Sequence, residues 1–305
     1  MSRKTPKEKT SPTLGQKSVG ELCIKGMVIK AMSGLYTVRT DEGDYRCSVR
    51  GIMRKHNMTP FCGDNVMIEI TDQADSEGII SEILPRRNSF KRPPLANIDL
   101  LIFVVSSCEP MPNTLIIDKL IAIAEYKDIN PVLILTKLDL DNLDNLEEIY
   151  SSCGFDVMYN TETDRIKSLL SGKVSALAGN TGVGKSTLLN NLGIGLDLST
   201  GEVSKKLGRG RHTTRHVELF ALGCGGYVGD TPGFSTVDPL AYDSIDKQDL
   251  HLCFREFAPY IEKCKFSGCS HTVEKGCAVL QALSEGKIHP SRHKSYVEMR
   301  AAMNG

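Results

Sequence analysis

The residues Gly179-Asn180-Thr181-Gly182-Val183-Gly184-Lys185-Ser186, followed by Thr187, fit the G-x-x-x-x-G-K-[ST] spacing at every fixed position. Each residue type there has a chemical reason. Glycines let the backbone wrap a polyphosphate with its N–H groups turned inward, and a helix start adds positive potential behind them. An ammonium at Lys185 would neutralise the β- and γ-phosphates, and the Ser186 hydroxyl would hold Mg²⁺. The motif needs a strand before it and a helix after it. Val174–Ala178 reads as that strand and Lys185–Leu192 as that helix.

Two later segments extend the same chemistry. Asp230-Thr231-Pro232-Gly233 follows the short strand Tyr227–Val228, as the Asp-x-x-Gly element of GTPases does. Asp230 would reach Mg²⁺ through water, and the Gly233 N–H would meet the γ-phosphate. Between the two lies a long polar loop, Gly193–His216, carrying His212-Thr213-Thr214. One threonine would complete the Mg²⁺ shell; Thr213 is preferred and Thr214 stays open. The residue after Gly233 is Phe234, where many GTPases have a water-orienting glutamine. A phenyl ring cannot orient water, so slow intrinsic turnover is expected. His212 is the candidate replacement; a solvated loop histidine is the plain alternative.

Thr136-Lys137-Leu138-Asp139 ends the apolar run Val132–Leu135 and matches a guanine-reading [NT]-K-x-D element. A carboxylate accepts from both N1–H and the 2-amino group of guanine, a donor pair that adenine lacks. Lys137 would lay its aliphatic stem along the ring. Such a tetrapeptide is also compatible with a plain strand-end turn, but ligands bind at the carboxyl ends of strands in α/β sheets. In ordinary GTPases this element follows the phosphate loop, whereas here it precedes it. A circular permutation reconciles the order. The second base-side loop should follow Phe155–Met158, and Tyr159-Asn160-Thr161 matches it poorly.

Cys264, Cys269, His271 and Cys277 supply three thiols and one imidazole at short spacings, flanked by the turn residues Gly268 and Gly276. The set suits one tetrahedral Zn²⁺ in a closed, structural site. The metal would substitute for a core that this small region lacks.

The elements that position these groups are legible as patterns. Ile98–Val105, Leu115–Tyr126, Val132–Leu135, Leu143–Ser152, Phe155–Tyr159, Arg165–Leu170 and Val174–Ala178 alternate strand and helix, which means a parallel sheet covered on both faces. Before them, residues 20–84 hold short β-rich runs, Val28–Val38, Tyr45–Val49, Val66–Ile70 and Ile79–Leu84, separated by turn residues. That pattern predicts a small OB-like barrel, a fold that often binds RNA. Asn88–Leu95, with Pro93 and Pro94 beside Lys91 and Arg92, reads as a linker. Beyond Leu240, Asp246–Phe257, Ala278–Glu285 and Ser291–Met303 read as helices. The expected organisation is multidomain: a disordered basic tail over 1–17, an OB-like β-barrel over 18–88, a circularly permuted α/β P-loop GTPase domain over 89–239, and a helical zinc-binding region over 240–305.

Composition sets outer limits. The 305 residues carry 37 Lys+Arg against 37 Asp+Glu, so global charge gives no sign of a nucleic-acid partner. Only the tail is locally basic, with Arg3, Lys4, Lys7, Lys9 and Lys17 against Glu8. No apolar run is long enough to span a bilayer and no signal peptide is visible, so a cytoplasmic protein without a membrane partner is expected. In a reducing compartment the ten cysteines are not expected to pair. Cys23, Cys47, Cys62, Cys108, Cys153, Cys224 and Cys253 read as small buried hydrophobes.

Taken together, the barrel, Thr136–Asp139 ahead of Gly179–Thr187, His212-Thr213-Thr214, Asp230–Gly233 and the Cys264/Cys269/His271/Cys277 spacing closely resemble the circularly permuted bacterial ribosome-biogenesis GTPases called ribosome small-subunit-dependent GTPase A. The resemblance covers almost the whole chain after the tail. It implies GTP hydrolysis to GDP and phosphate, late maturation of the 30S subunit, stimulation by that subunit, and contact of barrel and zinc region with 16S rRNA. The protein would act as a monomer. Lys205, Lys206, Arg209, Arg211 and Arg215 crowd the loop of His212 and could bind rRNA when GTP orders it. Two other classes make different predictions. A P-loop ATPase or small-molecule kinase would prefer ATP and ignore Asp139. A non-enzymatic RNA-binding assembly factor would bind RNA whatever residue stood at Lys185.

Overall fold

The computed structural model describes residues 23–51, 53, 58–107, 110–137, 144–193, 217–230 and 245–303. The basic tail, Cys108 and the 194–216 loop lie outside them.

Five strands build the N-terminal barrel: β1 (Cys23–Met32), β2 (Leu35–Thr40), β3 (Gly43–Val49), β4 (Asn65–Asp72) and β5 (Glu77–Ile83). Their order is β1-β2-β3-β5-β4, with β4 returning to β1, so the sheet closes on itself. β3 and β5 run parallel and the remaining barrel pairs antiparallel. This is the five-stranded OB-like arrangement expected from the sequence. The inward residues are apolar, with Val28, Val38, Cys47, Val66, Ile68 and Ile80 fully buried.

The central sheet holds β8 (Leu100–Ser106), β9 (Asn130–Thr136), β10 (Asp156–Tyr159), β11 (Val174–Ala178), β12 (Val217–Ala221) and β13 (Tyr227–Asp230), in the order β10-β9-β8-β11-β13-β12. All pairs are parallel except β12 with β13. Every residue of β8 is buried, as a strand covered on both faces requires. Alternate residues feed two cores. Leu101, Phe103, Val105, Leu133 and Leu135 face α1 (Thr114–Tyr126) and α2 (Asp144–Ser152). Leu100, Ile102, Val104, Val132, Ile134 and Leu177 face α3 (Thr163–Leu170) and α4 (Lys185–Asn191). The chain steps outward from β8 to β9 and β10, then returns to β8's other side at β11. Starting instead at β11 would give β11, β12, β13 and then β8, β9, β10. Two contiguous halves have been exchanged around an unchanged sheet.

The stretch read as a linker is packed structure. β6 (Ser89–Phe90) pairs with β7 (Leu95–Ala96), and Phe90 and Leu95 are completely buried. It stitches barrel to sheet. The Ala96 N–H donates to Cys62 O at 2.9 Å, and a Cβ on Gly63, whose φ is +91°, would sit 2.0 Å from Ala96 O. β1 also pairs with β12, aligning Lys30 with Glu218, and these two form an ion pair at 3.0 Å. Barrel and central domain therefore share one eleven-stranded sheet.

The C-terminal region contains α5 (Ala258–Ile261), α6 (Ala278–Ser284) and α7 (Pro290–Ala302). The continuous helix expected over Asp246–Phe257 is instead two 3₁₀ turns, Leu250–Cys253 and Arg255–Phe257, separated by an extended Phe254. The break turns Arg255 toward the central domain. There it pairs with Glu125, donates to Gly154 O at 3.0 Å and lies 4.6 Å over the Phe155 ring. Arg292 of α7 is fully buried between Asp118 of α1, at 2.6 Å, and Glu256, at 2.7 Å. Cys47, Cys62, Cys153 and Cys253 are buried as expected, but Cys23 is exposed and Cys224 half-buried. Cys23 opens β1 at an outward-facing position, where alternation places it in solvent.

Candidate nucleotide site and metal centre

β8 and β11 are neighbours from which the chain departs in opposite directions, so the crevice beyond their carboxyl ends is a topological switch point. The Gly179–Ser186 loop leaves β11 directly into it. Gly179, Gly182 and Gly184 have φ of +143°, +84° and +99°. Gly179 has no room for a side chain, since a Cβ would lie 2.5 Å from Val104 O. That backbone closeness holds the loop against β8. Val183 is buried and anchors the loop from beneath, while Thr181 and Gly182 stay exposed. Lys185 opens α4 and turns its ammonium back over the loop, donating to Asn180 O at 2.7 Å and to Gly179 O. Ser186 is half-buried beside it and Thr187 exposed.

The candidate base-reading turn enters the same crevice from β9. Thr136 is 2% exposed, and its hydroxyl donates to Val183 O at 2.6 Å. Its side chain lies 3.6 Å from the position a Cβ on Gly184 would take. Strand end and phosphate loop are thus held by a direct bond. Lys137 follows with a left-handed φ of +59°. Leu138 and Asp139 lie outside the described residues. Tyr159-Asn160-Thr161 leaves β10 at the same sheet end, and the Asn160 N–H donates to Leu135 O at 2.9 Å. The Tyr159 N–H donates to Glu162, which holds that carboxyl below the usual carboxylate range. Sequence made this loop a poor match for a base-side contact, yet topology brings it beside the base-reading turn.

Asp230 ends β13 opposite Leu177 of β11, so its backbone reaches the crevice beside the phosphate loop. Its side chain, Gly233, His212, Thr213, Thr214 and the basic loop residues Lys205 to Arg215 lie outside the described residues.

The four candidate zinc ligands converge. The donor atoms of Cys264, Cys269, His271 and Cys277 all lie within 4.8 Å of one another. Cys264 Sγ is 3.9 Å from Cys277 Sγ, and the two sulfurs are 3.6 and 3.5 Å from His271 Nδ1. A tetrahedral Zn²⁺ with ordinary bond lengths requires edges of about 3.8 Å between sulfurs and about 3.5 Å between sulfur and nitrogen. These three separations match that geometry, and three thiols with one imidazole are a donor set that could hold zinc. Their support is equally specific. The Glu274 carboxylate accepts from the N–H groups of Ser270 at 2.7 Å and of Thr272 and Val273 at 3.1 Å each. Burial raises the Glu274 carboxyl, but the hydrogen bonds from Ser270 and from the backbone of Thr272 and Glu274 outweigh it and bring it to about 2. The ring of His293 bonds His271 O at 2.8 Å, and Tyr296 donates to Ser270 O at 2.7 Å. Cys277 also caps α6, accepting from the Leu280 N–H at 3.4 Å. Burial pushes the Cys269 thiol up to about 12, with the neighbouring Cys277 and Cys264 adding to it, so a bound cation would have to displace its proton. Glu274 was not singled out from sequence; an acid between two ligands was the available signal.

Among the described residues, no helix is long and apolar enough to cross a membrane.

The sequence and the fold have counterparts among known proteins. The RsgA GTPase family model matches residues 83–239, and the RsgA N-terminal domain model matches residues 25–80. The small ribosomal subunit biogenesis GTPase RsgA 2 of Listeria innocua is 41% identical over 285 residues, covering 90% of this chain and 96% of that protein. The small ribosomal subunit biogenesis GTPase RsgA of Bacillus cereus is 41% identical over 283 residues, covering 89% and 94%. The crystal structure of YjeQ from Thermotoga maritima aligns with a TM-score of 0.78 at 34% identity, over 93% of this chain and 99% of that one. YloQ, described as a circularly permuted GTPase, aligns with a TM-score of 0.75 at 32% identity, over 94% and 97%.

Proposed function

The chain belongs to the RsgA GTPase family and hydrolyses GTP, and from that premise we propose that it serves late maturation of the 30S ribosomal subunit, which stimulates its turnover. The names of its relatives support a role in small-subunit biogenesis. The observation that carries the chemical reading is the juxtaposition of Thr136–Lys137 with Gly179–Ser186 at one switch point.

In this reading Thr136, Lys137, Leu138 and Asp139 form the guanine pocket, with Asp139 accepting from N1–H and the 2-amino group. Gly179 to Thr187, together with Asp230 and Gly233, surround the triphosphate. Lys185 exchanges its contacts with Asn180 O and Gly179 O for the β- and γ-phosphates. Ser186 and Thr213 would hold Mg²⁺, which neutralises charge on the phosphate oxygens when bound. His212 orients the attacking water in line with the bond from the γ-phosphorus to the β–γ bridging oxygen. Breaking that bond yields GDP and phosphate, and loop N–H groups and Lys185 stabilise the charge that develops. Cys264, Cys269, His271 and Cys277 would bind one structural zinc.

The barrel and the zinc region contact 16S rRNA, and the protein works in the cytoplasm as a monomer organised as 18–88, 89–239 and 240–305 behind its tail. The shared sheet and the buried Arg292 pairs support transmission between these regions, since neither joint is a loose tether. Cosedimentation with purified 30S subunits tests the partner. Retention with a non-hydrolysable GTP analogue and release with GDP is expected; equal retention in both states would refute nucleotide-controlled binding.

A further inference from the structure

We propose that Glu274 is a positioning residue for the metal centre, holding His271 in the backbone conformation that turns its ring toward the thiols. The proposal rests on the assignment of Cys264, Cys269, His271 and Cys277 as zinc ligands. His271 has a φ of +58°, in the left-handed region that residues with a side chain rarely occupy. It is nevertheless only 2% exposed, and it brings Nδ1 to 3.6 Å from Cys264 Sγ and 3.5 Å from Cys277 Sγ. Such a conformation persists only where the surroundings over-determine it.

Glu274 supplies that determination from the N–H side. Its Oε1 accepts from the Ser270 N–H at 2.7 Å, and its Oε2 from the Thr272 and Val273 N–H groups at 3.1 Å each. One carboxylate thus gathers donors from both sides of His271, and the chain between them must arch. The carbonyl side of the arch is fixed by α7, where His293 bonds His271 O at 2.8 Å and Tyr296 donates to Ser270 O at 2.7 Å. The hydroxyls of Ser270 and Thr272 meet at 2.6 Å across the same residue. Glu274 also reaches the next ligand, because its main-chain carbonyl accepts from the Cys277 N–H at 3.3 Å.

These bonds explain why an acid stands between His271 and Cys277 without belonging to the ligand set. Both its oxygens are engaged by backbone donors. The job also needs a carboxylate: glutamine offers one oxygen and would turn an amide N–H₂ toward a backbone N–H. Without the side chain, three N–H groups lose their acceptor and residues 270–273 can relax toward ordinary φ, carrying the His271 ring away from the sulfurs. All four ligands would still be present. What is lost is their arrangement in advance of the metal, so zinc affinity falls.

The experiment measures zinc affinity of the full-length protein by competition with a chromogenic chelator. The chains compared are the unsubstituted protein, Glu274→Ala, Glu274→Gln, His271→Ala, Cys269→Ser, and each Glu274 variant combined with His271→Ala. Glu274→Ala is expected to weaken zinc about tenfold to a hundredfold. Glu274→Gln, which keeps one acceptor oxygen, should lose less. Because Glu274 acts through His271, either Glu274 substitution should cost much less zinc affinity once His271 is already alanine. Unchanged affinity in Glu274→Ala would overturn the proposal. So would losses that simply add, which would mark Glu274 as a general support of the region. If Glu274→Ala does not fold, Glu274→Gln decides by the same two criteria. If the unsubstituted protein binds no zinc, or Cys269→Ser and His271→Ala leave its affinity unchanged, the ligand assignment fails and the proposal falls with it. If those two weaken zinc and Glu274→Ala does not, Glu274 alone is wrongly assigned.

Discussion

The hydroxyl of Thr136 donates to the carbonyl of Val183 across 2.6 Å, joining residues 47 positions apart in the chain. The bond ties the end of β9 to the middle of the phosphate loop. On the proposed reading of these two segments, base and phosphate recognition are mechanically one unit, although the permutation has separated and reordered them in sequence. Thr136→Val keeps the shape and removes the donor. It should cost about 1–3 kcal/mol of stability by leaving Val183 O unsatisfied, and should weaken GDP and GTP together. Urea denaturation and nucleotide titration check both; unchanged values in both would show the bond to be incidental.

Gly179 and Gly182 both have positive φ, but they differ in surroundings. A Cβ at Gly179 meets Val104 O at 2.5 Å, whereas at Gly182 it meets nothing within 4 Å. Gly179→Ala must push the loop off β8, so nucleotide binding should be lost in a protein with native far-ultraviolet circular dichroism. Gly182→Ala carries only backbone strain and should lose less, on the order of tenfold in affinity. Equal behaviour of the two variants would contradict the packing argument.

Arg292 is surrounded by Asp118, Glu256 and the Phe254 ring, whose centroid is 4.7 Å from its guanidinium carbon. Tyr150 donates to Asp118 at 3.0 Å and ties α2 into the same network. Arg292→Ala would strand two buried carboxylates and should destabilise the protein by about 3–5 kcal/mol. Adding Asp118→Asn and Glu256→Gln to Arg292→Met should recover part of that loss in thermal melts. No recovery would mean that packing, not charge pairing, dominates there.

The zinc reading predicts about one zinc per chain by elemental analysis. Chelation should unfold the C-terminal region first, because Cys277 both binds metal and caps α6. Cys277→Ser should lower zinc content and shift the melting midpoint downward. Full stability in strong chelator would show that the region holds itself together without metal.

Much of this protein is legible in its amino-acid sequence. The glycine-rich loop, the clustering of the four candidate zinc ligands and the alternation of β8, α1 and β9 all come from local spacing, which a linear sequence displays. What escaped was contact between distant segments. Ser107 lies just beyond the apolar run Ile98–Val105, and nothing in local spacing marks it as the residue whose hydroxyl donates to Lys137 O. Asn88–Leu95 looked like a linker because prolines and charges dominate its composition, yet its two apolar residues, Phe90 and Leu95, are the ones it buries. The Asp246–Phe257 helix failed because Arg255 gains Glu125, Gly154 O and Phe155 by breaking it, a tertiary return that periodicity does not see.

The most direct measurement is phosphate release from GTP and from ATP, with and without purified 30S subunits, for the unsubstituted protein and Lys185→Ala. The account predicts slow GTP turnover that 30S subunits accelerate, little use of ATP, and loss of activity in Lys185→Ala. Turnover of GTP that ignores 30S subunits would contradict the ribosomal role, and equal use of ATP would contradict the reading of Thr136–Asp139 as a guanine pocket.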